Sequence, residues 1–143
     1  MDLNDQPGLG TAALNIGIVC QHEGEAARHR GDEPAARRSF AAALRSVQES
    51  LKIDQASDDR PNMAGSLSQL AIIHVLLGDL AAAEQHAQAA RQIRESLGLK
   101  AVWKVYDTLA AIAQARGDTT AAAEWARQRD AKLEEVERLA RGH

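Results

Sequence analysis

Aromatic residues make up only 3% of this 143-residue chain, two tryptophans, one tyrosine and one phenylalanine. That supply is too thin for interleaved aromatics to stack on single-stranded nucleic acid. Nor is there an excess of positive charge: Lys and Arg total 17 against 20 Asp and Glu, a formal net charge of -3. No global positive field therefore draws a polyanion, and no nucleic-acid partner is expected. Cysteine occurs once, at Cys20, which excludes an internal disulfide framework and fits a reducing compartment. Long hydrophobic runs are missing too. The longest, Ala71-Ile72-Ile73-His74-Val75-Leu76-Leu77, falls far short of a bilayer span. Residues 1–10 are polar, carry Asp2 and Asp5 and lack a basic start, so no export signal is expected. A soluble cytoplasmic protein without a membrane partner is the expectation. Nothing alternates over a strand length between turn residues, and alanine-rich, arginine-rich composition favours close helix–helix packing over a sheet.

What the chain does have is a phrase spelled three times: Gly31-Asp32-Glu33-Pro34-Ala35-Ala36, Gly78-Asp79-Leu80-Ala81-Ala82-Ala83-Glu84 and Gly117-Asp118-Thr119-Thr120-Ala121-Ala122-Ala123-Glu124. Glycine adopts the left-handed conformation that ends a helix. The following aspartate caps the first amides of the next helix, and the alanines let that helix pack tightly on the one just ended. Three such turns predict three helical hairpins, the mark of a repeat array.

The second and third phrases lie 39 residues apart, the first and second 47. An overlay of the chain start on the second repeat requires a shift of 54, which sets Ile16 on Leu70, Gly17 on Ala71 and Gly24 on Gly78. The discrepancy of seven residues has two readings. Either residues 24–30 extend the first helix by nearly two turns, keeping its apolar face in phase to within about 20°, or a loop interrupts it at Gly24. Six helices follow: about Gly10–Arg30, Glu33–Ile53, Pro61–Leu77, Leu80–Leu97, Lys100–Arg116 and Thr119–Ala140, with Asp54–Arg60 as a turn before Pro61. The expected organisation is a flexible tail over residues 1–9 and one domain over 10–143, with repeats at about 10–54, 61–98 and 100–141.

These overlays resemble the tetratricopeptide repeat, in its longer variety of about 40 residues known from kinesin light chains and bacterial regulatory proteins. The resemblance rests on a large–small pair in each first helix (Ile16-Gly17, Leu70-Ala71, Leu109-Ala110), the Gly-Asp turn, and an alanine in each second helix (Ala36, Ala83, Ala122), with Phe40 at the large position that follows. Ala87 and Ala126 depart from the pattern at the position of Phe40. The resemblance implies an all-α fold: an α-solenoid of three helix-turn-helix repeats wound into a right-handed superhelix. It also implies a non-enzymatic scaffold that binds a peptide or partner helix on the concave face lined by the first helices. The implied contacts are Gln21, His22, Ser68, Ile72, Lys104, Asp107 and Gln114. The family's lysine–asparagine–arginine clamp for chaperone C-termini is not matched, because only Lys104 agrees and Thr108 stands at the arginine position.

Other surfaces carry alternatives. In the sixth helix Ala122, Trp125, Ala126, Arg129, Leu133, Val136 and Ala140 recur at spacings of three and four, without a polar cap after it. Leu133, Val136 and Leu139 therefore either shield themselves or meet a second chain, which makes homodimerisation the alternative function. Arg28, Arg30, Arg37, Arg38 and Arg45 gather around the first hairpin, solvated or facing an acidic partner. Trp103 and Tyr106 are read as repeat-junction packing, with binding anchors as the sharper alternative. A metal or enzymatic protein is the remote reading. Cys20 and His22 point about 200° apart on a helix, and His22 and His29 lie roughly 10 Å apart along it. Neither pair closes on one zinc, and His74 and His86 are read as isolated. No phosphate loop, zinc-protease motif or redox Cys-x-x-Cys is present, so no cofactor is expected.

Overall fold

The Gly–Asp phrase folds identically each time in the computed structural model, which describes residues 8–98 and 100–142. Gly31, Gly78 and Gly117 sit at φ 82°, 84° and 78°. The amide after each turns back to donate to a carbonyl five residues earlier, Asp32 to Ala27, Asp79 to His74 and Asp118 to Ala113, each at 2.9 Å. The aspartate side chains then accept from the amides of Ala35, Ala82 and Ala121 at 3.1, 3.2 and 3.0 Å. One motif thus satisfies the spare carbonyls of one helix and the spare amides of the next.

Six α-helices result among the described residues, with no strand: α1 (Leu9–His29), α2 (Glu33–Ala56), α3 (Arg60–Leu77), α4 (Leu80–Ser96), α5 (Val102–Ala115) and α6 (Thr119–Ala140). Residues 1–7 of the expected tail lie outside the described residues; Gly8 caps α1, and Leu9 is its first residue. The second helix does not stop near Ile53. It runs to Ala56, and the expected turn at Asp54–Arg60 shrinks to its last few residues. The reason is a fourth copy of the turn, with Asp58 at φ 52° in glycine's place and Asp59 as cap to Asn62. Its amide donates to Asp54 O at 2.9 Å. Aspartate tolerates this left-handed position where most residues do not.

Helix α1 is unbroken through Gly24, so the seven-residue difference is an extension and not a loop. Packing explains the glycine. A Cβ at Gly24 would lie 2.5 Å from the Phe40 ring, one at Gly17 2.4 Å from Val47 Cγ2, and one at Gly10 2.3 Å from an Asp54 carboxylate oxygen. Glycines seven residues apart share a face, and α2 closes on that face over its whole length.

Each helix packs on its neighbours in sequence, and α1 also touches α3, as α3 touches α5. The even-numbered helices make no comparable contact with one another. Closer spacing within the odd layer bends the array toward α1, α3 and α5. Two cores fill it. Phe40, Ala43 and Val47 of α2 enclose Leu70 and Ile73 of α3. Ala83, Ala87 and Ala90 of α4 lie between Leu67 and Ala71 of α3 and Val105, Leu109 and Ile112 of α5. Each large buried side chain contributes about 1.5–3 kcal/mol.

The joints between repeats are pinned at both ends. At the first, Arg28 grips Glu33 with two bonds of 2.8 Å, donates to Leu76 O at 2.7 Å and lies over Phe40. At its other end Ser50 donates to Gly10 O at 2.7 Å and contacts Ser66 Oγ at 2.9 Å. Ser66 has one hydrogen for both Ser50 and the Asp54 carboxylate, 3.4 Å away. Burial, and then the charge of Asp59, raises the Asp54 carboxyl above its ordinary value. At the second joint Arg116 pairs with Glu84 at 2.6 Å, Tyr106 donates to Glu95 at 2.8 Å, and Arg94 donates to Ala101 O at 3.2 Å.

Two glycine substitutions are expected to act with opposite sign. Gly24→Ala must displace a buried ring and lowers stability by about 1–3 kcal/mol. Gly65→Ala meets nothing within 4 Å inside α3 and raises it by about 0.5–1 kcal/mol through helix propensity. Urea titrations of the two variants check both signs.

Candidate functional site

Along the odd-numbered helices, residues at equal places in the repeat become freer from one end of the array to the other. Leu14 and Ile18 of α1 are half-buried and Gln21 is buried; Ser68, Ile72 and Val75 of α3 are half-buried; Asp107, Ala111 and Gln114 of α5 are exposed. Each odd-numbered helix is covered by the next odd-numbered one, and α5 has no such successor among the described residues.

The seven residues expected on the inner face consequently have different standing. Gln21 is bonded by Gln69 Nε2 across the α1–α3 contact, so its amide is committed within the protein. His22 is exposed. Ser68 Oγ is buried without a hydrogen-bond partner, and Ile72 beside it is half-buried. Lys104 is exposed, with its ammonium 5.8 Å from the centre of the Trp103 ring. Asp107 is held by Arg129 of α6 at 2.7 Å. Gln114 lies in a groove between α5 and α6 of about 470 Å³, lined also by Asp107, Ala110, Ala111, Ala122, Ala123 and Ala126. His22, Ile72 and Lys104 do not meet at a point. In repeat register His22 and Lys104 differ by roughly 16 Å along the helix direction, at 1.5 Å per residue. An elongated ligand spans such a line; a compact one does not.

Other candidates are reassigned by their contacts. Of the five arginines near the first hairpin, Arg28 is committed to the joint and Arg37 pairs with Glu33 at 3.2 Å; Arg30, Arg38 and Arg45 are exposed. Tyr106 stacks on Trp125 at 5.8 Å, with Arg91 on the same indole. Burial first, then the bond to Glu95, pushes its phenol up to about 12. It is packing at a repeat junction. Leu133 and Val136 are half-buried on α6, and Leu139 is 52% exposed.

His74 and His86 are not isolated. Their rings stack at 5.2 Å between α3 and α4, and His74 Nδ1, buried and without a hydrogen-bond partner, lies 4.0 Å from an Asp79 oxygen. The sequence signal was available, since the Gly78-Asp79 turn folds these helices back on each other. Among the described residues no three His, Cys, Asp or Glu side chains gather as a metal site. No helix among them is long and apolar enough to cross a membrane.

Residues 63–97, from α3 to the end of α4, match the family model described as tetratricopeptide repeat. The α3–α4 hairpin is therefore a tetratricopeptide repeat, hairpins on the same plan lie either side of it, and repeats of this family are protein–protein interaction modules. Among curated proteins, none matches the chain.

Burial, and then the neighbouring His74, depresses the His86 pKa. The unfolded chain therefore binds a proton more readily than the folded one below about pH 6.5. Stability is fully present above that pH and is lost as the pH falls through the depressed value. His86→Gln is expected to flatten this dependence, measured as the urea midpoint between about pH 5 and pH 7.5.

Proposed function

We propose that the chain is a non-enzymatic module that holds an extended segment or a helix of another protein along α1, α3 and α5. The observation that carries this reading is the line of exposed and half-buried residues down the odd-numbered side. Ile72 and Leu76 supply its apolar floor and His22 and Lys104 its polar ends. A concave helical surface of this kind takes the apolar stripe of a helix or the alternate side chains of an extended peptide. Among the described residues, the groove between α5 and α6 and the one lined by Gln85, Gln88 and Gln92 are open to solvent, and neither would desolvate a small substrate. Self-association through the end of α6 is the second reading. It is favoured by Leu139 and by the length of α6, 22 residues against 14 for α5.

Recovery of bound protein from an extract of the source cells tests the main reading. Lys104→Ala combined with Ile72→Ala is expected to weaken capture by at least about tenfold, or ~1.4 kcal/mol, with helicity by circular dichroism unchanged. Equal recovery by the variant and the parent chain would refute it.

A further inference from the structure

Inside the array, one kind of contact is made twice. An odd-numbered helix lays two large apolar residues, spaced by three, into the groove of the hairpin before it. Leu70 and Ile73 of α3 do so against the first hairpin and are 1% and 0% exposed. Leu109 and Ile112 of α5 do so against the second and are 3% and 2% exposed. The same repeat position on α1 holds Ile16 and Val19, and these are 57% and 56% exposed. Two apolar side chains built for a seat therefore have none among the described residues.

The opposite end offers the seat. The groove between α5 and α6, about 470 Å³, is lined by Ala110, Ala122 and Ala126. In repeat register these are Ala71, Ala83 and Ala87, the buried residues that receive α5 in the second hairpin. The last hairpin thus keeps the small-residue floor and has no helix on it among the described residues.

One exchange along the groove is reciprocal. Where α4 has Ala90, α6 has the bulkier Arg129; where α5 has Val105, α1 has Ala12. The Glu84–Arg116 pair and the Arg94–Ala101 bond fix the antiparallel register of α4 and α5, which sets Ala90 level with the turn of α5 containing Val105. A larger residue on one surface faces a smaller residue on the other.

We infer that the two ends bind each other between molecules: α1 of one chain seats Ile16 and Val19 in the α5–α6 groove of a second copy. The contact continues the interface already made twice within the chain. It joins unlike surfaces, so each added copy leaves one free end of each kind, and assembly proceeds past the dimer.

The test is sedimentation of the purified chain over a roughly hundredfold concentration range, where mass action sets the degree of association. The average mass is expected to climb beyond that of two chains. Ile16→Asp with Val19→Asp removes one surface, and Ala123→Glu, an exposed residue of the groove, removes the other. Each variant alone is expected to remain a single chain. An equimolar mixture is expected to form a one-to-one pair and nothing larger, because each supplies the surface the other lacks. Thermal melts confirm folding, and the milder pair Ile16→Gln with Val19→Thr replaces the aspartates should those melt early. A parent chain of constant single-chain mass overturns the proposal. So does a mixture that fails to pair, or association abolished by Leu139→Lys and untouched by changes at Ile16 and Val19.

Discussion

Close approach between paired helices is the constraint on which the rest of this array depends. In the first hairpin it is reached by removing side chains from α1, at Gly10, Gly17 and Gly24, while α2 keeps Phe40 and Val47. In the second it is reached with alanine on α4 at 83, 87 and 90. The two solutions are complementary ways to fill the same gap at interior packing density. They also explain why glycine, unfavourable in a helix interior by about 1 kcal/mol, is tolerated at three places in α1. A methyl group there would cost more in overlap than it returns in propensity.

The turns were legible in the sequence because their chemistry is local. A glycine that must be left-handed and an aspartate that must cap are named by residue type, and each phrase met its expected geometry. The turn before Pro61 is legible as a turn, but not as a fourth copy of the phrase, because Asp58 fills the left-handed position in place of glycine. The length of α2 was misjudged for a related reason. Asp54 looks like a turn residue, yet it is 4% exposed and bonded through Ser66 and Ser50 to the α1 backbone. No local rule announces a carboxyl group buried by tertiary contact.

The candidate binding line was legible only in outline. Spacing put Ser68 and Ile72 of α3, with Lys104 and Gln114 of α5, on the inner-face positions of their helices, and a helix-by-helix pattern goes no further than that. Whether a position is open depends on what covers it. Gln21 and Gln114 are equivalent in the repeat, but one is buried against α3 and the other is exposed on α5. Ile16 shows the converse, since the overlay on Leu70 marks an interior residue and only the fold reveals that it is 57% exposed, with nothing among the described residues packed over it.

Because Arg28 and the Ser50–Ser66 contact fasten the first joint at opposite ends, and Arg116 with Tyr106 and Arg94 fasten the second, a swing of one hairpin on the next would have to break contacts at one end of the joint. The pitch and width of the odd-numbered side are therefore set before anything comes to lie against it. A chain docking there would order its own backbone and a few side chains without first having to tighten the spring it rests on, and the entropic toll of association falls almost entirely on the visitor.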